Sequence, residues 1–288
     1  MRPVPSKVRH LPAELRALRE DRTLTLQKAS AAVGFSLTKL QRMETGKRGL
    51  HYDDAAKLFA FYQVPEARSE RMLALLADLG DPGWWTKFRA KLPEPWRQEI
   101  PLEDEAEVIR DYSLGFVPRL LQIPRYADAL FADLQPYLSQ RTREVLVGVQ
   151  TTRQSILNRL DVRFHFLIDE AALRMVGSPH VQEEQFRALI AAANRPNVTV
   201  QIVPFGAGAH PGLAGAMVLL KFIGAPTMAR MSEAEGFRDS DSTVRTAWHA
   251  WNAISGRASS EVATNHLLYH RLSALSAQTG QSNLSIVQ

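Results

Sequence analysis

Residues 24–46 read LTLQKASAAVGFSLTKLQRMETG, and this stretch decides the fold of the N-terminal part of the chain. Leu24, Ala29 and Val33 recur at helical spacing, as do Leu37, Leu40 and Met43, so each set is expected to face a core. Gly34 separates the two sets, at a turn whose backbone angle suits glycine. Thr25 and Ser36 stand one residue ahead of the two apolar runs and offer hydroxyl N-caps. The pattern is a helix-turn-helix, and its second helix would expose Thr38, Lys39, Gln41 and Arg42. These side-chain types meet base edges and phosphates.

Working outward, five short helices are expected: about Leu11–Glu20, Leu26–Val33, Leu37–Glu44, Asp53 or Asp54 to Tyr62, and one from Pro65 to about Leu79. Together they make an all-α module over residues 1–80. Glu44 is expected to be internal and paired with an arginine of the first helix. The DNA-contact set predicted from the motif is Thr25, Gln27, Ser36, Thr38, Lys39, Gln41 and Arg42, with Lys47 and Arg48 as loop contacts to phosphate. Charge agrees with that reading. Residues 1–80 hold 14 Lys and Arg against 9 Asp and Glu, a net of +5, which equals the formal charge of the whole chain of 288 residues. A basic face is what contact with phosphate requires.

Composition sets further bounds. There is no cysteine, so disulfides, thiolate metal sites and cysteine nucleophiles are excluded, and a reducing cytoplasm is expected. No run of 18 apolar residues suggests a membrane span. The start, MRPVPSKVRH, lacks the apolar stretch of a signal peptide.

After Gly80 the composition shifts. Residues 81–101 form an expected connector rich in Trp and Pro, carrying Trp84, Trp85 and Trp96. A second domain is expected over 102–275. Its helices fall at about Leu102–Tyr112, Ile123–Asp133, Ser139–Leu160, Val181–Ala193, Ser242–Ile254 and Ser259–Leu275. Its strands fall at Val162–Ile168, Val198–Pro204, Ala216–Phe222 and, more weakly, Thr227–Met231. The expected class is therefore multidomain: an all-α helix-turn-helix domain, then an α/β (α+β) domain with a sheet of about four strands. Residues 276–288 are polar and expected to be disordered.

Catalytic motifs are wanting. The stretch GAGAHPGLAG, 206–215, has Pro211 where G-x-G-x-x-G needs its last glycine, and no GK[ST] follows. It reads as a Gly-rich turn joining two strands. His266 and His270 are four apart on a helix but have no third ligand, and one packed and one exposed histidine is the expectation. No G-x-S-x-G occurs. Asp169, just after a strand, is expected to cap a helix. No enzyme, cofactor or metal site is expected. An effector pocket is placed near Trp84, Trp85, Trp96 and His210; the alternative is that the tryptophans fill an interdomain core and the glycines merely make a turn.

Two resemblances add to this. LRALRE (15–20), residues 24–48 and DDAAKLFAFYQV (53–64) resemble the XRE-type repressors, related to the DNA-binding domains of lambdoid phage repressors. Leu26 stands where that family commonly has glutamine, with Gln27 one place later. YSLGFVPRLLQIPRYADALF (112–131), RQSIL (153–157) and residues 167–212 resemble an antitoxin-like domain of the Scr1 type, common in filamentous actinobacteria. The resemblance implies a transcription regulator, often encoded beside a small partner protein. The expected partners are double-stranded DNA, a second copy of the chain, and a small molecule or small partner protein. The alternative reading is an antitoxin-like protein that binds a small partner and autoregulates its operon.

Overall fold

The structure, a computed structural model, describes residues 11–46, 50, 52–77, 88, 91–232 and 235–284. The chain divides into two compact units, residues 1–86 with 222–226, and residues 87–221 with 227–288.

In the first unit five helices follow one another: α1 (Leu11–Asp21), α2 (Leu26–Ala32), α3 (Leu37–Glu44), α4 (Tyr52–Phe61) and α5 (Glu66–Ala77). The apolar periodicity of each helix meets in one core of Leu11, Leu15, Ala29, Leu40, Met43, Leu58, Phe59 and Tyr62, with Leu24 and Val33 packed against it. Gly34, at φ 72°, makes the turn between α2 and α3, a left-handed conformation that costs glycine little. Thr25 Oγ1 accepts from Lys28 N at 3.2 Å and Ser36 Oγ from Lys39 N at 3.1 Å, so both predicted caps form. Leu37 corrects the sequence reading. It is 48 % exposed, because the first residue of a helix lies beyond the stripe that Leu40 and Met43 turn inward.

The second unit begins its described helices with α6 (Glu94–Glu105), followed by strand β1 (Val108–Ser113). Sequence reading expected a connector up to residue 101 and a helix through Tyr112, and both differ here. Helix α6 runs through the end of that connector, and VIRDYS is a strand whose alternation was masked by the acidic residues before it. The sheet therefore has five strands. After β1 come α7 (Pro124–Leu134), α8 (Gln140–Arg153), β2 (Arg163–Asp169), α9 (Pro179–Ala193), β3 (Val198–Val203), β4 (Met217–Phe222), β5 (Ala225–Arg230), α10 (Asp241–Ser255) and α11 (Glu261–Leu284). Helix α11 extends through residues 276–284, where disorder was expected.

The strand order is β3-β2-β1-β4-β5. β1, β2 and β3 are parallel, with Tyr112 opposite Leu167 and Asp111 opposite Phe166, and β4 runs antiparallel to β1. Parallel neighbours require crossovers, which α7 and α8 supply between β1 and β2 and α9 between β2 and β3. Residues 206–215 are not a hairpin turn, as sequence reading had it: two strands, β2 and β1, lie between β3 and β4, so this segment crosses the end of the sheet. Two 3-10 turns shape it, Phe205–Ala207 and Pro211–Ala214. Gly212 lies on the Tyr112 ring, and a Cβ there would fall 2.5 Å from two ring carbons.

One sheet face, with Tyr112, Leu167, Met217, Leu219 and Ala229, packs on Ala247, Ala250, Trp251 and Ile254 of α10. Alternation sends Asp111, Ser113 and Val218 to the other face. The edge strand β3 is covered by α11: Ile202 N donates to Thr264 Oγ1 at 3.0 Å, and Ile202 O accepts from Ser259 N at 2.8 Å. Such cover removes a template for pairing with another chain.

Candidate functional site

The site begins with how α3 is held. Arg19, on α1, and Glu44, at the end of α3, form a buried bidentate pair, with Nε to Oε1 at 2.7 Å and Nη2 to Oε2 at 2.9 Å. Arg19 Nη1 also donates to Leu24 O at 2.7 Å. The guanidinium thus ties α1, the start of α2 and the end of α3 together. Its pKa is raised, chiefly by the hydrogen bonds to Glu44. The expected pairing of Glu44 with a first-helix arginine is what the structure contains.

With Leu40, Met43 and Glu44 inward, α3 turns Ser36, Leu37, Thr38, Gln41 and Arg42 to solvent. The Arg42 guanidinium and the Gln41 amide have no side-chain partner among the described residues. An α-helix with its side chains is about 10–12 Å across, which fits the roughly 12 Å width of the major groove. Thr25 and Gln27 are exposed at the start of α2. Lys28, also exposed there, is a cation that sequence reading did not select.

Lys39 is placed differently from its neighbours. Its Nζ donates to Asp54 Oδ1 of α4 at 2.6 Å and lies 3.8 Å from the centre of the Phe35 ring. These two attractions hold the ammonium against the domain. Lys47 and Arg48, like Trp84 and Trp85, lie outside the described residues.

The predicted effector residues of the second unit do not converge. Trp96 is buried, 6.2 Å from the Phe131 ring centre, with the guanidinium of Arg119 5.7 Å away. His210 sits edge-on to Tyr112, with Nε2 3.8 Å from Asp169 Oδ2. Asp169 has the capping role expected of it: Oδ1 accepts from Ala171 N at 2.9 Å, and Oδ2 accepts from the Tyr112 hydroxyl at 3.3 Å. His266 and His270 are both exposed, whereas one was expected to be packed.

A cavity of about 340 Å³ does exist in this unit, and neither Trp96 nor His210 lines it. It lies on the sheet face opposite α10, walled by Asp111 and Ser113 of β1, Glu99 of α6, Arg153 of α8, Arg230 of β5, and apolar residues of α7. Sequence reading missed this cluster. The legible signal was Asp111, a carboxylate at the same strand parity as Ile109 and Ser113 in VIRDYS, but it counts only once that segment is a strand.

No described helix is long and apolar enough to cross a membrane. Comparison with family models finds a helix-turn-helix domain over residues 10–72 and a domain of unknown function (DUF5753) over residues 96–270. Neither the curated proteins nor the solved structures give a match. The helix-turn-helix match covers α1–α4 and the first part of α5, takes in the polar face of α3 described above, and supports a DNA-binding regulator. The match over 96–270 takes in more than half of the sequence, the whole sheet and the cavity, so the chain belongs to the family of the domain of unknown function DUF5753, with a helix-turn-helix domain ahead of it.

Proposed function

We propose that the protein is a sequence-specific transcription regulator of the XRE type, whose α3 enters the major groove of an operator. The observation that carries this reading is the exposed run Ser36, Leu37, Thr38, Gln41 and Arg42 on a capped helix, locked from behind by Arg19 and Glu44. In this reading Thr38, Gln41 and Arg42 contact bases. Arg42 suits the paired acceptors of guanine, and Gln41 those of adenine. Lys39, held by Asp54, acts through the local field or as a phosphate contact. One such helix reads few base pairs, so the working form is a homodimer reading two half-sites about 34 Å apart. The second domain senses a signal and controls that dimer, because a ligand shifts an equilibrium only by binding one state better. The protein works in the cytoplasm.

The test is fluorescence anisotropy with duplexes from upstream of the gene and with random duplexes, over a range of salt. Affinity for the upstream duplex falls steeply with salt, because each neutralised phosphate releases counterions. Arg42→Ala lowers specific affinity by about 1–3 kcal/mol and leaves random DNA nearly unchanged. Lys39→Ala has the smaller effect on specificity. Absence of binding at low salt, or equal loss on both duplexes for Arg42→Ala, overturns the base-reading assignment.

A further inference from the structure

The cavity beneath the sheet joins an ionic wall to an apolar one. On the ionic side, Glu99 receives Arg230 Nη2 at 2.9 Å, Arg153 Nη2 at 3.3 Å and Arg119 Nη1 at 3.6 Å. Arg153 also chelates Glu103 through Nε and Nη2. Both Glu103 oxygens are thereby hydrogen-bonded, whereas Glu99 Oε2 has ion-pair contacts alone and no hydrogen-bond partner among the described residues. Arg153 Nη1 is likewise buried without a hydrogen-bond partner among the described residues. Arg153 lines the cavity and its side chain is 3 % exposed. A buried donor without an acceptor is costly, and most such groups are matched in folded proteins. Asp111 stands on the central strand of the same wall. Among the described side chains it accepts one hydrogen bond, from Ser113 Oγ at 3.2 Å. The opposite wall is apolar, with Leu114, Leu130 and Phe131. At about 340 Å³ the space falls in the size range of small-molecule sites.

We propose that this cavity binds a small amphiphilic carboxylic acid. Its carboxylate takes the spare Arg153 donor beside Arg230 and Asp111, and its apolar body lies against Leu114 and Phe131. The balance of charge sets the sign of the ligand. Three guanidinium groups, Arg119, Arg153 and Arg230, meet two glutamates, Glu99 and Glu103, so with Asp111 protonated the wall has a positive charge to spare, which an anion matches and an ammonium would add to. Asp111 completes the head site. Burial pushes its carboxyl up to about 7, against the pull of Arg230 and with the push of Glu99 and Glu103. Arg153, from α8, also feels its charge. When protonated, Asp111 donates to the ligand carboxylate, so that two carboxyls share one proton. When ionised, it repels the ligand. Affinity therefore falls as pH rises through 7, by at most tenfold per pH unit.

The proposal rests on the sensing role given above to the second domain, and its test contains no DNA, so failure of the site and failure of the regulator reading are distinguishable. The test is calorimetric titration of the full-length chain with 3-phenylpropionate, its neutral amide, hexanoate and phenethylamine, at about pH 6.5 and about pH 8. The expected result is saturable one-to-one binding of the acids, at least about tenfold weaker binding of the amide and the amine, and close to tenfold loss for the acids at the higher pH. Asp111→Asn, whose amide donates but does not titrate, flattens the pH dependence of acid binding. Ala216→Phe, which adds bulk at a lining residue just before β4, removes binding while the circular dichroism spectrum stays that of the parent. No heat with either acid overturns the proposal. So does amine binding that matches or exceeds acid binding, or unchanged acid binding by Ala216→Phe.

Discussion

Glu44→Gln tests the arrangement that holds the DNA-facing helix. The substitution keeps the volume of the side chain and removes its charge. Arg19 stays buried, with side-chain exposure of 9 % against 3 % for Glu44. It retains Leu24 O as an acceptor at 2.7 Å and loses one of its two charge-assisted bonds to Glu44. Removing one partner of a buried ion pair costs about 3–5 kcal/mol, and the acceptor that glutamine keeps returns about 1 kcal/mol of it. A net loss of about 2–4 kcal/mol is expected, and 3 kcal/mol is roughly a hundredfold in an opening equilibrium. The assay is hydrogen exchange read by mass spectrometry on peptides spanning α1–α3, with peptides of the sheet as the internal control. Amides of Leu40–Glu44 should exchange about a hundredfold faster, and those of β1–β3 unchanged. The double variant Arg19→Met, Glu44→Leu should recover most of the loss, because apolar residues of similar size replace buried ion pairs at little cost. An effect of Glu44→Gln below about 1 kcal/mol would refute the reasoning, as would a double variant no better than the single one.

Two further outcomes follow from the second unit. Gly212→Ala places a methyl 2.5 Å from the Tyr112 ring and should lower the unfolding temperature of this unit by an overpacking cost of about 1–3 kcal/mol, read by calorimetry. Asp111→Asn should change the pH dependence of stability. The folded state holds the Asp111 proton up to about 7, whereas the unfolded chain releases it near 3.9. The native state binds more protons between those values, so the wild type loses stability there as pH rises, and the variant gains on it up to about pH 7 and then keeps its lead. Urea unfolding at several pH values checks both the sign and the window.

The sequence by itself determined the first unit. Its information is local: apolar spacing, hydroxyl caps at Thr25 and Ser36, and glycine at position 34 act within one or two turns of chain, so α1–α5 and the polar face of α3 could be read directly. Even the Arg19–Glu44 pair was legible, because a carboxylate on the apolar side of a short helix needs a cation nearby. The second unit was legible strand by strand where β-branched and aromatic runs stand alone, as in residues 163–168 and 198–203. What only tertiary structure decided is which segments lie side by side. Val108–Ser113 becomes the central strand because β2 and β4 pair with it from distant parts of the chain, and no local preference encodes that. The same pairing sends residues 206–215 across the sheet end, while in the first unit the inward stripe of Leu40 and Met43 leaves Leu37 outside a core it was expected to join. It also gathers Glu99, Asp111, Arg153 and Arg230 from four elements around one cavity. Charges in that position are set by long-range packing against desolvation, a balance that spacing along the sequence does not contain.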